Sequence, residues 1–363
     1  MTGLDGRLLD LLQDEFPAVP RPYAELARRH GSLSEAEVHA AVTRWRSSGM
    51  VRRLGGVFDS RALGYHTTLV AAEVAPENLA RVAAAVGAYP EVTHSYAREG
   101  RLNLWFALVV PEPGRVAAIL GKLEKTTGVT FHDLPADRVY KTEVKFRFGA
   151  APGPPGPGRP DGAARQAGAA GPADPAGGRV EAASTRPEQP DDADRLLIAA
   201  LAGDFPPGLE PYEELAARLG MTSSEVLDRI AGYRRRGWLR RLAGVLAHRK
   251  AGVRGNAMVV WEVAQESLDR AGRALASFPE VTHCYARPPL AGWPYRLYSM
   301  VHAPTRRECR RRVRALGEAV NLLSYQILFS TREYKKTSPR YFDPDGGSPK
   351  ASPLHIDPDG GSR

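Results

Sequence analysis

Cysteine is scarce in this chain, with only Cys284 and Cys309 among 363 residues. Two thiols exclude a disulfide framework and a cysteine-built zinc site. Long apolar runs are missing as well, and no stretch approaches the ~20 continuous apolar residues of a membrane span. The opening MTGLDGRLLDLLQDEF has neither a basic leader nor an apolar run with a small-residue cleavage site, so it does not read as a secretory signal. The expectation is a soluble cytoplasmic protein without a membrane partner. There is no G-x-G-x-x-G before a helix, no P-loop, no H-E-x-x-H and no G-x-S-x-G. Those absences argue against nucleotide-binding, zinc-protease and serine-hydrolase chemistry.

What is present is a 43% hydrophobic chain, long enough for two or three domains with real cores. Its net charge of +9 suits nucleic acid, a polyanionic small molecule or mere solubility, and charge alone does not choose. Residues 147–192 depart from the rest as a Gly/Pro/Ala run without an apolar period, which reads as a flexible tether. A tail from 338 to 363 is similar, and its two DPDGGS pieces lack the spacing of a calcium loop.

The flanks of the tether repeat each other. Phe16-Pro17 matches Phe205-Pro206, Tyr23 with Glu25-Leu26 matches Tyr212 with Glu214-Leu215, and VTHSYAR (92–98) matches VTHCYAR (281–287), all at an offset of 189. The Arg52-Arg53-Leu54 run matches Arg240-Arg241-Leu242 at 188. An offset this long and this constant means a duplicated domain. Each copy opens with three short amphipathic segments, the third capped by Ser34 in the first copy, followed by a basic strand such as VRRLGGVFD. That order is a winged helix-turn-helix. A strand, a helix, a hairpin, a helix and a last strand come next, the ferredoxin-like βαββαβ plan. The fold class expected is therefore α+β: a duplicated unit of winged helix-turn-helix and ferredoxin-like module. The expected boundaries are 1–60 and 61–146 for the first copy, 147–192 for the linker, 193–249 and 250–337 for the second copy, and 338–363 for a disordered tail.

Side chains alternate across a strand, so His94, Tyr96 and Arg98 share one face, as do His283, Tyr285 and Arg287. A ferredoxin-like sheet packs one face on its helices and leaves the other for a partner. An imidazole, a phenol and a guanidinium there supply a proton donor, a hydrogen bond and a carboxylate clamp. A polar face lining a domain interface is the bland alternative, and finding the triplet twice favours function. Trp293 and Tyr295 sit in a Pro-rich loop of the second copy only. They suit a flat ring ligand or a plug for the module's own core, and both readings stand. Arg52, Arg53, Arg240 and Arg241, with His248 and Arg249, would be phosphate contacts on DNA or clamps on a polycarboxylate. His66, His132 and His302 read as structural histidines, and Cys284 as a packed residue on the opposite face from His283.

The module order resembles the Lrp/AsnC regulators, and the residues resemble a narrower group. MVRRLGGVFDSRALGYHTTLVAAEV with VTHSYAREGRLNLWFALV is similar to one subunit type of siroheme decarboxylase; WLRRLAGVLAHRKAG with VTHCYARPPLAGWPYRLYSMVHA is similar to the other. The resemblance implies a fusion of two subunits, an intramolecular pseudo-heterodimer, with further pairing of chains left open. It implies a carbon-carbon lyase that removes the carboxyl groups of the C12 and C18 acetates of siroheme, on the way to haem or dione haem. Downstream radical SAM enzymes of haem synthesis are then candidate partners. Siroheme is the iron tetrapyrrole substrate, no further cofactor is required, and bound haem is left open. In this reading His94 and His283 are catalytic, with His283 on the iron side. Arg98, Arg240, Arg249 and Arg287 hold carboxylates, with His248 beside them, and Tyr96, Tyr285, Trp293 and Tyr295 orient the ring.

The rival is a DNA-binding regulator of the same architecture. The third helix begins Ser34-Glu35-Ala36-Glu37 in the first copy, and carboxylates there repel phosphate. Arg44, Arg46 and Arg234–Arg236 leave non-specific DNA binding open, while a fused asymmetric pair makes specific reading of a palindrome a poor expectation. A haem-binding sensor is a third reading.

Overall fold

The structure, a computed structural model, describes residues 5–142, 189–247 and 255–342. The first copy opens with α1 (Gly6–Asp14), α2 (Pro22–His30) and α3 (Glu35–Ser47), then β1 (Val51–Phe58). The second copy repeats them as α6 (Asp192–Ala202), α7 (Pro211–Leu219), α8 (Ser223–Arg235) and β7 (Leu239–Leu246). Local chemistry sets these helix starts. Ser34 and Glu37 form a capping box on α3, Asp191 and Asp194 one on α6, and Thr222 and Glu225 one on α8. Pro22 and Pro211 occupy the first helical positions of α2 and α7, where a missing N–H costs nothing.

The six helices share one core. Phe16, Tyr23, Phe205 and Tyr212 are all buried within it. The Phe16 and Phe205 rings meet edge-on at 5.8 Å, and the Tyr212 hydroxyl donates to the Pro17 carbonyl at 2.8 Å. The expected wing is a shared structure. β1 pairs antiparallel with β7 of the other copy in a two-stranded ribbon, so each copy contributes one strand of it.

The ferredoxin-like module of the first copy contains β2 (His66–Ala72), α4 (Leu79–Gly87), β3 (Val92–Arg98), β4 (Leu104–Val110), α5 (Gly114–Thr127) and β5 (Phe131–Pro135), followed by β6 (Arg138–Thr142). That of the second contains β8 (Gly255–Trp261), α9 (Leu268–Ser277), β9 (Val281–Ala286), β10 (Leu297–Ala303), α10 (Arg306–Ala319) and β11 (Tyr325–Lys336). All nine strands form one sheet in the order β5-β2-β4-β3-β11-β8-β10-β9-β6. The single last strand expected in the first copy is divided. β5 pairs with β2 of its own module, while β6, two residues later, crosses to β9 of the other. β11 does both jobs in one length: Tyr325–Phe329 pairs with β8, and Ser330–Lys336 with β3. Because only Ala136 and Asp137 separate β5 from β6, the ends of the strip are joined and the sheet returns on itself. Helices α4 and α5 cover the outside of one half and α9 and α10 that of the other, each over its own core. The inner faces meet at a fourth cluster containing Trp105, Met258, Trp293, Tyr298 and Leu328.

Two expected boundaries move. The linker is expected to run through 192, yet Asp191 and Asp194 already form the α6 capping box. The tail is expected from 338, yet Tyr341 is buried against Phe58 and Tyr65, and its hydroxyl lies 2.7 Å from that of Ser60. Aromatic burial holds this end of the chain. The remaining linker, 143–188, and tail, 343–363, lie outside the described residues.

Candidate functional site

Between the two inner sheet faces and the β1–β7 ribbon lies a cavity of about 870 Å³. Its volume is in the upper part of the range usual for ligand sites. His94, Tyr96 and Arg98 reach it from β3, and His283, Tyr285 and Arg287 from β9 and the residue after it. The sheet period thus brings both triplets to one space. The intervening side chains turn outward: Cys284 Sγ lies 3.6 Å from the Gly272 carbonyl of α9, and burial pushes its thiol up to about 12.

Within each triplet the rings stack and the guanidinium covers the phenol. His94 and Tyr96 are 6.3 Å apart at 24°, and His283 and Tyr285 are 6.0 Å apart at 26°. Arg98 lies 5.2 Å from the Tyr96 ring centre, and Arg287 lies 5.0 Å from that of Tyr285. Each arginine is anchored by the opposite half. Arg98 donates to the Leu328 carbonyl of β11 at 3.2 Å, and Arg287 to the Leu134 carbonyl of β5. Both are more than nine-tenths buried, neither makes an ion pair among the described residues, and the Nε of each has no hydrogen-bond acceptor. Burial lowers Arg98 to about 10 and lowers Arg287 as well. Two buried cations short of acceptors call for an anionic ligand.

Further cations line the same space. Arg240 pairs with Asp59 at 2.7 Å and touches Thr142. Arg61 donates to the Ala136 carbonyl at 3.1 Å, and Arg52 to that of Lys336 at 2.5 Å. Arg53, also at the wall, is committed to the C-terminus of α6 through the Ala202 and Gly203 carbonyls. Burial first, then the Arg240 and Lys141 charges, lower His283 to about 4, so its imidazole is neutral at pH 7. Its Nδ1 lies 3.1 Å from Thr282 Oγ1, and that oxygen is 2.9 Å from His302 Nε2. His94 Nδ1 lies 3.0 Å from Thr93 Oγ1. His94, His283 and His302 all present imidazoles at the cavity wall.

Two aromatic candidates are placed elsewhere. Trp293 is 2% exposed, donates to the Tyr298 hydroxyl at 3.0 Å and packs 6.0 Å from Trp105. Tyr295 packs edge-on against Trp293. Neither lines the cavity, and the Pro-rich loop plugs the inter-sheet core behind Trp105 and Tyr298, which do line it. Bulk apolar surface drew the loop inward. His248 and Arg249 lie outside the described residues. Residues that the sequence did not single out also face the cavity, among them Arg61, Met258, Tyr298 and Met300. His302, read from sequence as structural, lines it too. The alternation of Tyr298, Met300 and His302 along β10 was the available signal. His66 and His132 do not line it.

Comparison with known proteins agrees with this architecture. The family model described as the AsnC-like ligand binding domain matches residues 62–141 and 250–335, and that described as the siroheme decarboxylase NirDL-like HTH domain matches 5–52 and 194–240. The siroheme decarboxylase of Hydrogenobacter thermophilus is 30% identical over 343 residues, 93% of this chain and 95% of that protein. The chain belongs to the siroheme decarboxylase family.

Separate subunits of the family match single halves in length. The alpha subunit of Desulfovibrio desulfuricans is 43% identical over 148 residues, 41% of this chain and 85% of that subunit. The beta subunit of Methanosarcina barkeri is 39% identical over 150 residues, 41% of this chain and 99% of that subunit. The present chain thus combines two subunit-like halves. A crystal structure of the siroheme decarboxylase NirDL with an iron-uroporphyrin III analogue superposes with a TM-score of 0.64 at 28% identity, covering 93% of this chain and 94% of that one. Among the described residues, no helix is long and apolar enough to cross a membrane.

Proposed function

We propose that this family member decarboxylates siroheme, removing the carboxyl groups of the C12 and C18 acetates to give 12,18-didecarboxysiroheme for haem or dione-haem synthesis. The observation that carries the reading is the convergence of two His-Tyr-Arg triplets, one from each half, on a single cationic cavity. Siroheme is a flat iron ring bearing many carboxylates. Arg98 and Arg287 offer buried guanidinium groups to them, and Arg240 adds a third at the wall, with Arg249 the remaining candidate. Tyr96 and Tyr285 flank the ring.

At each reacting acetate the bond between the methylene and the carboxylate breaks, carbon dioxide leaves, and the electron pair enters the conjugated ring. A proton then closes the methylene to a methyl, so each step consumes one proton and releases one carbon dioxide. The substrate supplies the electron sink, and the reading needs no added cofactor. His94 is assigned the proton. His283, neutral at pH 7, is assigned to the iron side, since an imidazole ligates metal in its neutral form.

Anaerobic incubation with siroheme, followed by mass spectrometry of the extracted tetrapyrrole, tests this. Successive loss of two carboxyl groups, abolished in His94→Ala and in His283→Ala, is expected. Unchanged mass with a shifted visible spectrum would point to a haem-type sensor or carrier instead. The DNA-binding reading has less to stand on. Arg46 pairs with Asp204, and Arg234 with Glu15, both across the two halves. His39 Nε2 lies 2.7 Å from the Pro207 carbonyl, so α3 and α8 spend polar groups on each other's half.

A further inference from the structure

We infer that Thr282 and His302 are positioning residues for His283, and that they give the two halves of the cavity unequal duties. The inference rests on the decarboxylase reading and deepens it.

The strand registers establish the inequality. His94 is paired with Ala107 of β4, and His283 with Met300 of β10. Two residues further on, the β4 position is Val109 and the β10 position is His302. All four side chains line the cavity. The first half therefore has a small methyl and an isopropyl where the second has a thioether and an imidazole. Both histidines meet the hydroxyl of the preceding, buried threonine. The two hydroxyls have different second partners. Thr93 Oγ1 donates to the Ala107 carbonyl of the neighbouring strand at 3.4 Å. Thr282 Oγ1 instead stands between two imidazoles, 3.1 Å from His283 Nδ1 and 2.9 Å from His302 Nε2.

A hydroxyl has one proton, so it donates to one imidazole and accepts from the other. In the arrangement that suits a metal-facing His283, Nδ1–H donates to Thr282 Oγ1 and the hydroxyl donates to His302 Nε2. His283 Nε2 is then left with its lone pair. An imidazole that ligates iron needs this fixed tautomer and ring orientation from outside its first contacts. His302 is itself held at its backbone, where Arg312 donates to its carbonyl at 3.1 Å while pairing with Glu308 at 3.1 Å. Thus α10 braces His302, His302 orients Thr282, and Thr282 orients His283. The first half reaches the same tautomer by another route: with its proton on the Ala107 carbonyl, the Thr93 hydroxyl accepts from His94 Nδ1–H. A backbone carbonyl thus stands there in place of the second imidazole, Val109 in place of His302, and Ala107 leaves more room beside His94 than Met300 leaves beside His283.

The test is titration of the full chain with iron uroporphyrin III, followed by its visible spectrum, alongside siroheme turnover. Thr282→Val is expected to weaken binding by about 10- to 100-fold and to shift the iron spectrum in the direction seen for His283→Ala. Thr282→Ser, which keeps the hydroxyl, should restore both. His302→Val, which copies the first half, should move the spectrum the same way. Wild-type spectrum and affinity in Thr282→Val and His302→Val would overturn the inference, as would an unchanged spectrum in His283→Ala. A wild-type chain that fails to decarboxylate siroheme, while Thr282→Val still shifts the iron spectrum, would remove the decarboxylase reading and leave the positioning chain standing.

Discussion

Arg98 is the residue whose replacement best separates stability from function. The substitution to examine is Arg98→Met, which keeps length and apolar contact but removes the charge. The guanidinium is buried with no counter-ion among the described residues, and burial brings it well below its ordinary value, to about 10. At 1.36 kcal/mol per pKa unit, holding that charge costs the fold about 3 kcal/mol at neutral pH. Against this, the hydrogen bond to the Leu328 carbonyl returns about 1.5–3 kcal/mol, and the contact with Tyr96 about 0.5–1 kcal/mol. The two sides nearly cancel. Arg98→Met should leave the unliganded stability within about 1 kcal/mol, where truncating a well-packed buried side chain costs about 2–5 kcal/mol. Binding should behave differently. Losing one buried guanidinium from a carboxylate costs about 2–5 kcal/mol, or about 30-fold to several thousand-fold in affinity. Denaturant unfolding without ligand and titration with iron uroporphyrin III at fixed ionic strength measure the two quantities. A loss of more than about 3 kcal/mol in stability together with unchanged affinity would refute the reasoning, for Arg98 would then be a structural residue.

Three further expectations come from the same geometry. His283 has a folded pKa near 4 against 6.5 unfolded, so the unfolded chain takes up the proton first, and about 3 kcal/mol of stability is lost as pH falls from 6.5 to 4; His283→Gln should flatten that limb in acid titrations followed by circular dichroism, and an unaltered slope would count against it. A Cβ on Gly272 of α9 would run into the Tyr140 ring of β6, so Gly272→Val should release β6 and speed limited proteolysis between Ala136 and Thr142, whereas wild-type protection would mean the strand is held otherwise. A protease site placed between 147 and 188 should, after cleavage, leave the halves co-eluting at micromolar concentration, because the β1–β7, β3–β11 and β6–β9 pairings join them; separated halves would show that covalent connection is what holds the site.

The repeat, the element order and the shared face of each triplet were legible because they are local. Periods of 3.6 and 2, the Ser34 cap and a constant offset need no knowledge of where the chain goes next. What was hidden depends on pairing between elements far apart in the chain. VRRLGGVF carries the pattern of a strand whether it folds onto its own copy or pairs with LRRLAGVL of the other, and the structure takes the second course. The break at Ala136-Asp137 follows Pro135, which can end a strand but says nothing of where the next one pairs, and the structure sends β6 across the molecule to β9. Trp293 and Tyr295 illustrate the converse. Their residue types suit a ring ligand and a core equally, and only the neighbouring Trp105 and Tyr298 decide for the core. His302 looked ordinary because its partner, Thr282, lies 20 positions away on the next strand.

The crossed anchoring of the arginines bears on why two halves are joined at all. Arg98 of the first half is fixed by the Leu328 carbonyl of the second, and Arg287 of the second by the Leu134 carbonyl of the first. Those carbonyls belong to β11, which runs on from β8 to pair with β3, and to β5, whose continuation β6 crosses to β9. Pulling the halves apart therefore strips each guanidinium of its anchor, and with it the contact that aims the charge into the cavity. A single half has the residues of a triplet without the geometry. Duplication alone would give two equal triplets facing one space, with nothing to tell one end of a bound ring from the other. The divergence at four positions along β4 and β10, Ala107 against Met300 and Val109 against His302, breaks that equivalence while the shared backbone keeps the triplets opposed. Exchanging these pairs, as Ala107→Met with Val109→His and Met300→Ala with His302→Val, should then move the imidazole-bound iron spectrum from dependence on His283 toward dependence on His94. If the spectrum of the exchanged protein still followed His283 alone, the asymmetry would have to lie outside these two strands.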